Sequence, residues 1–81
     1  MRYNLECDYT ITAREGGYKR VTTDIFHEPQ HISTVLHYLM NSIANSNVTW
    51  RDRKVTIVSN NSVEVQEFER PPTVYRIVEV P

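Results

Sequence analysis

Polar and apolar residues alternate along the first part of the chain, from residue 2 to residue 13. A period of two over this length is typical of a β-strand with one buried face and one exposed face. The pattern therefore predicts a strand whose apolar face belongs to the core. The apolar positions are Tyr3, Leu5, Cys7, Tyr9, Ile11 and Ala13.

A second strand is predicted over residues 18–26, joined to the first by a turn at Glu15-Gly16-Gly17. Glycine supplies the left-handed conformation that a three-residue hairpin loop needs. The register set by this loop places every apolar pair on the same face of the hairpin. The predicted pairs are Ile11 with Val21, Tyr9 with Thr23 and Cys7 with Ile25.

The period of the pattern changes after Phe26. Apolar residues then recur at i, i+3, i+4, i+7, i+8 and i+11, which predicts an amphipathic helix of about four turns. Pro29 suits the first turn of this helix, and Glu28 favours the positive end of its dipole. Asn45-Ser46-Asn47 ends it. The apolar positions are Ile32, Val35, Leu36, Leu39, Met40 and Ile43.

Three more strands are predicted, at residues 48–59, 63–69 and 73–80. Asn60-Asn61 suits a tight turn between the first two, and Pro71-Pro72 ends the second because proline has no N–H to donate. Apolar residues on both faces of the last strand favour an interior position, or an edge that another chain covers. The sequence leaves the strand order open, since a crossover after the second strand allows the third strand beside either member of the first hairpin.

The element order is therefore ββαβββ, and we predict an α+β fold: a twisted antiparallel sheet of about five strands with one amphipathic helix packed on one face. At 81 residues, the chain is expected to form a single compact domain, residues 1–81, with a thin core. One helix leaves Phe26, Trp50, Phe68 and Tyr75 without an obvious place in that core. Such an apolar excess marks an interface with another chain, unless the sheet twists enough to cover itself.

Charge and cysteine usage narrow the function classes. Nine Lys and Arg residues stand against ten Asp and Glu residues, whereas a general nucleic-acid binder usually carries a positive excess to neutralise phosphates. Net charge near zero gives little repulsion between copies, which favours self-association or a partner. The single cysteine, Cys7, excludes an internal disulfide and fits a cytoplasmic location. No signal peptide or membrane span is apparent.

Two groups of residues are candidates for catalytic or metal chemistry. Asp8 is expected to face Asp24 with Glu6 nearby, an opposition of like charges that reflects either a function or an error in the register. His27 and His31 offer nitrogen ligands, but a zinc site takes three or four convergent ligands and no third is evident. No nucleophile constellation or phosphate loop is present. We therefore predict no enzyme activity, cofactor or metal, and keep a small metal protein or enzyme as the second alternative.

Basic residues alternate with aromatic residues in two short stretches of the chain. This pattern suits stacking on bases together with contacts to phosphates. The neutral total charge and the acidic first hairpin weigh against it, so binding of RNA or DNA is the first alternative function. Its expected residues are Lys19, Arg20, Trp50, Arg51, Arg53 and Lys54.

No segment carries the motif of a known family, and the sequence favours non-catalytic binding of another protein, with homo-oligomerisation as a further expectation. Small α+β proteins without catalytic signatures are common among phage and mobile-element products that inhibit or modulate a host protein. Size and class alone support that role. In such binding, aromatic residues supply buried area and charged residues supply orientation. The expected binding residues are Glu6, Asp8, Asp24, Trp50, Arg51, Arg53, Lys54, Phe68 and Tyr75.

Overall fold

The computed structural model describes residues 1–44, 53–67 and 71–81 of the chain. The strands form one antiparallel sheet in the order β2-β1-β5-β4-β3, and the single described helix packs on it. The predicted α+β class and the ββαβββ order are confirmed. The elements are β1 (Arg2–Thr12), β2 (Tyr18–Asp24), α1 (Ile32–Ala44), β3 (Arg53–Ser59), β4 (Ser62–Glu67) and β5 (Thr73–Val80).

The chain reaches this strand order by a crossover that includes α1. After the β1–β2 hairpin it passes to the far edge of the sheet, and β3, β4 and β5 then lead back inward. The last strand therefore lies at the centre, between β1 and β4, which is the interior one of the two positions that its apolar pattern favoured. The third strand, whose place the sequence left open, lies beside neither β1 nor β2. The apolar β5 takes the place next to β1, which leaves β3 at the edge.

The first hairpin pairs in a register two residues away from the predicted one. Tyr9 lies opposite Val21, and the ladder ends where Thr12 meets Tyr18. Because a shift of two residues is even, every side chain keeps its predicted face. The individual pairs predicted from a three-residue loop are nevertheless wrong: Ile11 with Val21, Tyr9 with Thr23 and Cys7 with Ile25.

Two consecutive glycines explain the longer loop. Gly16 and Gly17 have positive φ values of 90° and 77°, a region that strains other residues. The Ala13 N–H donates to the Gly17 carbonyl at 3.1 Å, which closes a loop of residues 13–17. The prediction used only one left-handed residue, as a three-residue hairpin loop does.

The segment after β2 stays attached to β1 instead of entering the helix at Pro29. Gln30 exchanges both backbone hydrogen bonds with Tyr3, at 2.8 and 2.7 Å. The helix begins two residues later, where the Ser33 N–H donates to Nδ1 of His31 at 3.2 Å. Pro29 is therefore not in the first helical turn, because the β1 edge takes up the hydrogen bonds of this segment.

The core lies between α1 and β1. Leu5 and Val35 are fully buried, and Leu39 is nearly so. Leu36 and Met40 were predicted on the buried stripe but are 42% and 68% exposed, since α1 packs principally on β1 and buries only a narrow stripe. We call the three buried residues the core cluster. Half-buried residues pack around it: Tyr3, Ile25, Phe26, Ile43, Tyr75 and Ile77.

Candidate functional site

The acidic residues of β1 lie on the face of the sheet away from α1, and each is paired with an arginine. Nε of Arg20 donates to Oδ1 of Asp8 at 3.0 Å, and Arg76 of β5 forms an ion pair with Glu6. Arg20 also donates to the Pro72 carbonyl at 3.1 Å, so its side chain reaches from β2 across β1. Because these groups are partly exposed, each pair contributes less than about 1 kcal/mol. They orient neighbouring strands more than they stabilise the fold.

The register shift also changes the predicted pair of opposed carboxylates. Asp8 lies opposite Thr22, and it is Glu6 that lies opposite Asp24. The predicted opposition of Asp8 and Asp24 is therefore wrong. The repulsion between Glu6 and Asp24 is relieved because Arg76 neutralises Glu6 and solvent screens the exposed Asp24. The opposed carboxylates are therefore Glu6 and Asp24, and Glu6 is held in an ion pair with Arg76.

One of the three histidines caps the helix, and the other two are exposed. His31 caps α1: Nδ1 accepts the Ser33 N–H and lies 2.9 Å from the Ser33 hydroxyl, which places an acceptor at the open end of the helix. His27 is exposed in the connection before α1, and His37 is exposed on the helix. In residues 1–44, 53–67 and 71–81, no three His, Cys, Asp or Glu side chains are placed to hold a metal ion.

Cys7 lies on the buried face of β1 and is 8% exposed. Burial raises the pKa of its thiol, and the neighbouring Asp8 carboxylate raises that pKa further, while a hydrogen bond with Tyr75 acts in the opposite direction. A thiol held in its protonated form is a poor nucleophile and a poor metal ligand. Cys7 therefore behaves as a small apolar side chain.

The basic residues predicted to bind nucleic acid do not come together in the described structure. Lys19 and Arg20 lie on β2, whereas Arg53 and Lys54 lie on β3, at the opposite edge of the sheet. Four interstrand spacings of about 4.8 Å separate these edges by roughly 19 Å. Arg20 is in addition engaged with a carboxylate of β1. The strands that carry the two basic groups therefore lie at opposite edges of the sheet.

Two of the aromatic residues without a predicted place pack around the core. Phe26 and Tyr75 both contact the core cluster, and the Phe26 ring meets the Tyr38 ring edge-on, with centroids 5.3 Å apart and planes at 68°. Tyr75, which was predicted to bind a partner, is thus half-buried on the face of the sheet against which α1 packs. Three other predicted binding residues lie outside the described residues: Trp50, Arg51 and Phe68.

Strand β3 carries three exposed β-branched side chains that the site prediction did not include. Ile57 is 77% exposed, Val58 57% and Val55 41%. Val55 and Ile57 lie opposite Val65 and Val63 of β4, on the same face of the sheet as the core cluster. The apolar face therefore continues beyond α1 and reaches solvent at β3.

The outer side of β3 is also an open edge. Among the described strands β3 has a single neighbour, β4, so its other side offers backbone N–H and C=O groups for pairing. Arg53 and Lys54 begin the strand, and its remaining residues are uncharged and include no proline. Charge and proline are the usual protections of an edge strand. We call this outer side, with the side chains of Val55, Ile57 and Val58, the β3 edge surface.

Two depressions in the described surface are open to solvent, unlike the enclosed clefts in which small molecules usually bind. One, of about 610 Å³, lies where the two ends of the chain meet, beside Met1 and Pro81. The other, of about 340 Å³, lies on the flank of α1 beside the Phe26–Tyr38 pair. The polar side chains around the first include Arg2, Glu28 and Glu79, and those around the second include His37 and Ser42. We take the β3 edge surface as the candidate functional site because it combines exposed aliphatic side chains with an edge strand.

Comparison with protein-family models, with curated proteins and with solved structures finds no significant match to this chain. No helix in the described ranges is long and apolar enough to cross a membrane.

Proposed function

We propose that this protein is a non-catalytic binding module that joins another protein chain through the β3 edge surface. The observation that carries the proposal is the 77% exposure of Ile57 on an edge strand, with Val55 and Val58 exposed beside it. Contiguous exposed apolar side chains mark interaction sites in small proteins. A strand added to β3 satisfies the open backbone groups of that edge and buries these side chains.

This proposal moves the binding surface away from most of the charged residues expected from the sequence. Glu6 and Asp8 form ion pairs with arginines of the two neighbouring strands. Lys54 lies near the start of β3, and its charge selects the direction of the incoming strand. A cytoplasmic location and the inhibition of a host protein stay predictions from composition and size.

The test compares three immobilised proteins, the wild type, Ile57→Lys and Met40→Lys, each incubated with lysate of the cell that produces the chain, with and without nuclease treatment. Lysine at Ile57 places a charge on the β3 edge surface. Met40→Lys makes the same change on α1, where the side chain is 68% exposed. Bound proteins are quantified by mass spectrometry, and hydrogen exchange of each purified complex shows which strand becomes protected.

We expect a protein retained by the wild type and by Met40→Lys to be lost at least tenfold with Ile57→Lys. We also expect its binding to slow amide exchange in β3 and leave β2 unchanged. Equal retention by all three proteins would contradict the proposal, as would protection confined to β2. Binding that disappears on nuclease treatment would support the nucleic-acid alternative.

A further inference from the structure

We infer that the chain bound at the β3 edge surface is a second copy of this protein, paired antiparallel through β3 about a twofold axis at Thr56. The inference rests on the proposed function and names its partner. An axis perpendicular to the sheet reverses the strand direction without exchanging the faces. The two five-stranded sheets then become one continuous sheet with both helices on the same side.

Strand β3 is complementary to itself because Thr56 is the midpoint of its seven residues. An axis at Thr56 therefore gives every residue of β3 a partner in the second copy. Val55 lies opposite Ile57 of the second copy, and Lys54 lies opposite Val58. The shift in the β3–β4 ladder falls between Ile57 and Ser59, so the three central pairs lie in the regular part of the strand.

The same register buries apolar side chains that one copy leaves in water. Ile57 and Val55 lie on the apolar face, and each meets the other across the axis, so the apolar stripe of one copy continues into the next. Cross-strand pairs of β-branched residues stabilise sheets. Because the contact is isologous, each favourable pair occurs twice.

Charge also favours this register over its neighbours. Four residues along the strand separate the two copies of Lys54, about 14 Å at 3.4 Å per residue, which exceeds the Debye length of about 8 Å at physiological salt. An axis at Val55 halves that separation and leaves Val58 unpaired. An axis at Ile57 leaves Arg53 and Lys54 unpaired.

An opposite charge lies near the position that the second copy's lysine takes. Glu64 of β4 is opposite Thr56 and is half-buried on the polar face. Lys54 of the second copy is two strands and two residues away from it, about 12 Å between Cα atoms. The two side chains together span this distance, so the dimer adds an attractive contact at each end of the paired strands.

The first test is sedimentation of the purified protein as a function of its concentration. We expect a weak dimer in the micromolar range, since an interface formed by one strand is smaller than a standard one. Ile57→Lys should weaken the dimer by about a hundredfold, because each dimer loses two buried isoleucines. Met40→Lys, which makes the same change in charge on the exposed side of α1, should sediment as the wild type.

The second test locates the axis with single cysteines and the shortest bis-maleimide cross-linker. Thr56→Cys should link two copies efficiently, because these residues face each other across the axis. Lys54→Cys should link poorly, because its two copies are about 14 Å apart along the strand. The buried Cys7 stays unmodified in the folded protein and serves as the internal control.

These outcomes separate the inference from the proposed function. A wild-type protein that sediments as a monomer at every concentration overturns the dimer. The proposed function is then decided by the captured protein and its sensitivity to Ile57→Lys. A dimer unaffected by Ile57→Lys also overturns the inference, as does one that links through Lys54→Cys but not through Thr56→Cys.

Discussion

The two edges of the sheet are strands of equal length and opposite character. Strands β2 and β3 have seven residues each, and each has a single neighbour among the described strands. β2 reads YKRVTTD and holds one aliphatic residue, the half-buried Val21. β3 reads RKVTIVS and exposes three aliphatic residues. β2 carries more of the charged and polar residues that usually discourage pairing at a sheet edge, and β3 carries more aliphatic residues.

The rest of the chain strengthens this contrast. Arg20 ties β2 to Asp8 of β1 and to the carbonyl of Pro72. The segment after β2 continues along β1 as far as Gln30, and α1 packs principally on β1. The β1–β2 end of the sheet is therefore stabilised within the molecule. Among the described strands, the β3 end has no neighbour on its outer side, and its aliphatic side chains are exposed.

The largest expected effect compares how much a core side chain and a β3 side chain contribute to the free energy of unfolding. Leu5→Ala removes a side chain with no exposed surface and should destabilise the protein by about 3–4 kcal/mol, a large share of the total for a domain of this size. Ile57→Ala at the open end should cost less than about 0.5 kcal/mol. Urea unfolding at concentrations too low for association measures both. Equal losses would show that β3 is as buried as β1 in solution.

A second, smaller effect concerns Asn4, whose side chain joins β1 to the segment after β2. Asn4 is 8% exposed, its Nδ2 donates to the Phe26 carbonyl and its Oδ1 accepts the Phe26 N–H, both at 3.1 Å. Asn4→Ala leaves these backbone groups without partners and should cost about 2 kcal/mol. The exposed Asn41→Ala is the control, with a change within about 0.5 kcal/mol. If the two variants unfold at the same urea concentration, the Asn4 contacts do not hold this end of the sheet.

Local pattern predicted the faces of the strands but not their neighbours. Period-two alternation assigned Leu5 and Cys7 to the buried face, and the even register shift preserved that assignment. The same alternation assigned Asn4 to the exposed face. Asn4 is buried because the connection after β2 folds against it, a tertiary contact that a two-residue period does not contain.

The candidate site was missed for a related reason. The sequence showed that Val55, Ile57 and Val58 place apolar groups on both faces of a strand, which is equally typical of an interior strand. Only the strand order makes β3 an edge, and that order depends on β5 pairing with β1 across most of the chain length. The same long-range pairing gave Glu6 an arginine partner on β5.

The smallest expected change in stability comes from a test of whether polar side chains alone keep an edge strand from pairing with another molecule. Replacing Lys19 with Val and Arg20 with Thr makes β2 resemble β3. The cost should stay within about 1 kcal/mol, because the lost ion pair is partly exposed. Association should increase instead, since molecules with two open edges extend beyond dimers. Light scattering measures the assembly size, with Arg2→Thr/Arg14→Thr as a control that makes the same change in net charge.

The number of open edges should then set the size of the assembly. Adding Ile57→Lys to the converted β2 closes β3 again and leaves one open edge, so these molecules should stop at dimers joined through β2. The charge-matched control should associate as the wild type does, because it changes neither edge. If that control also forms extended assemblies, net charge determines association and the contrast between β2 and β3 does not. If the converted protein stays no larger than the wild type, side chains other than Lys19 and Arg20 close the β2 edge.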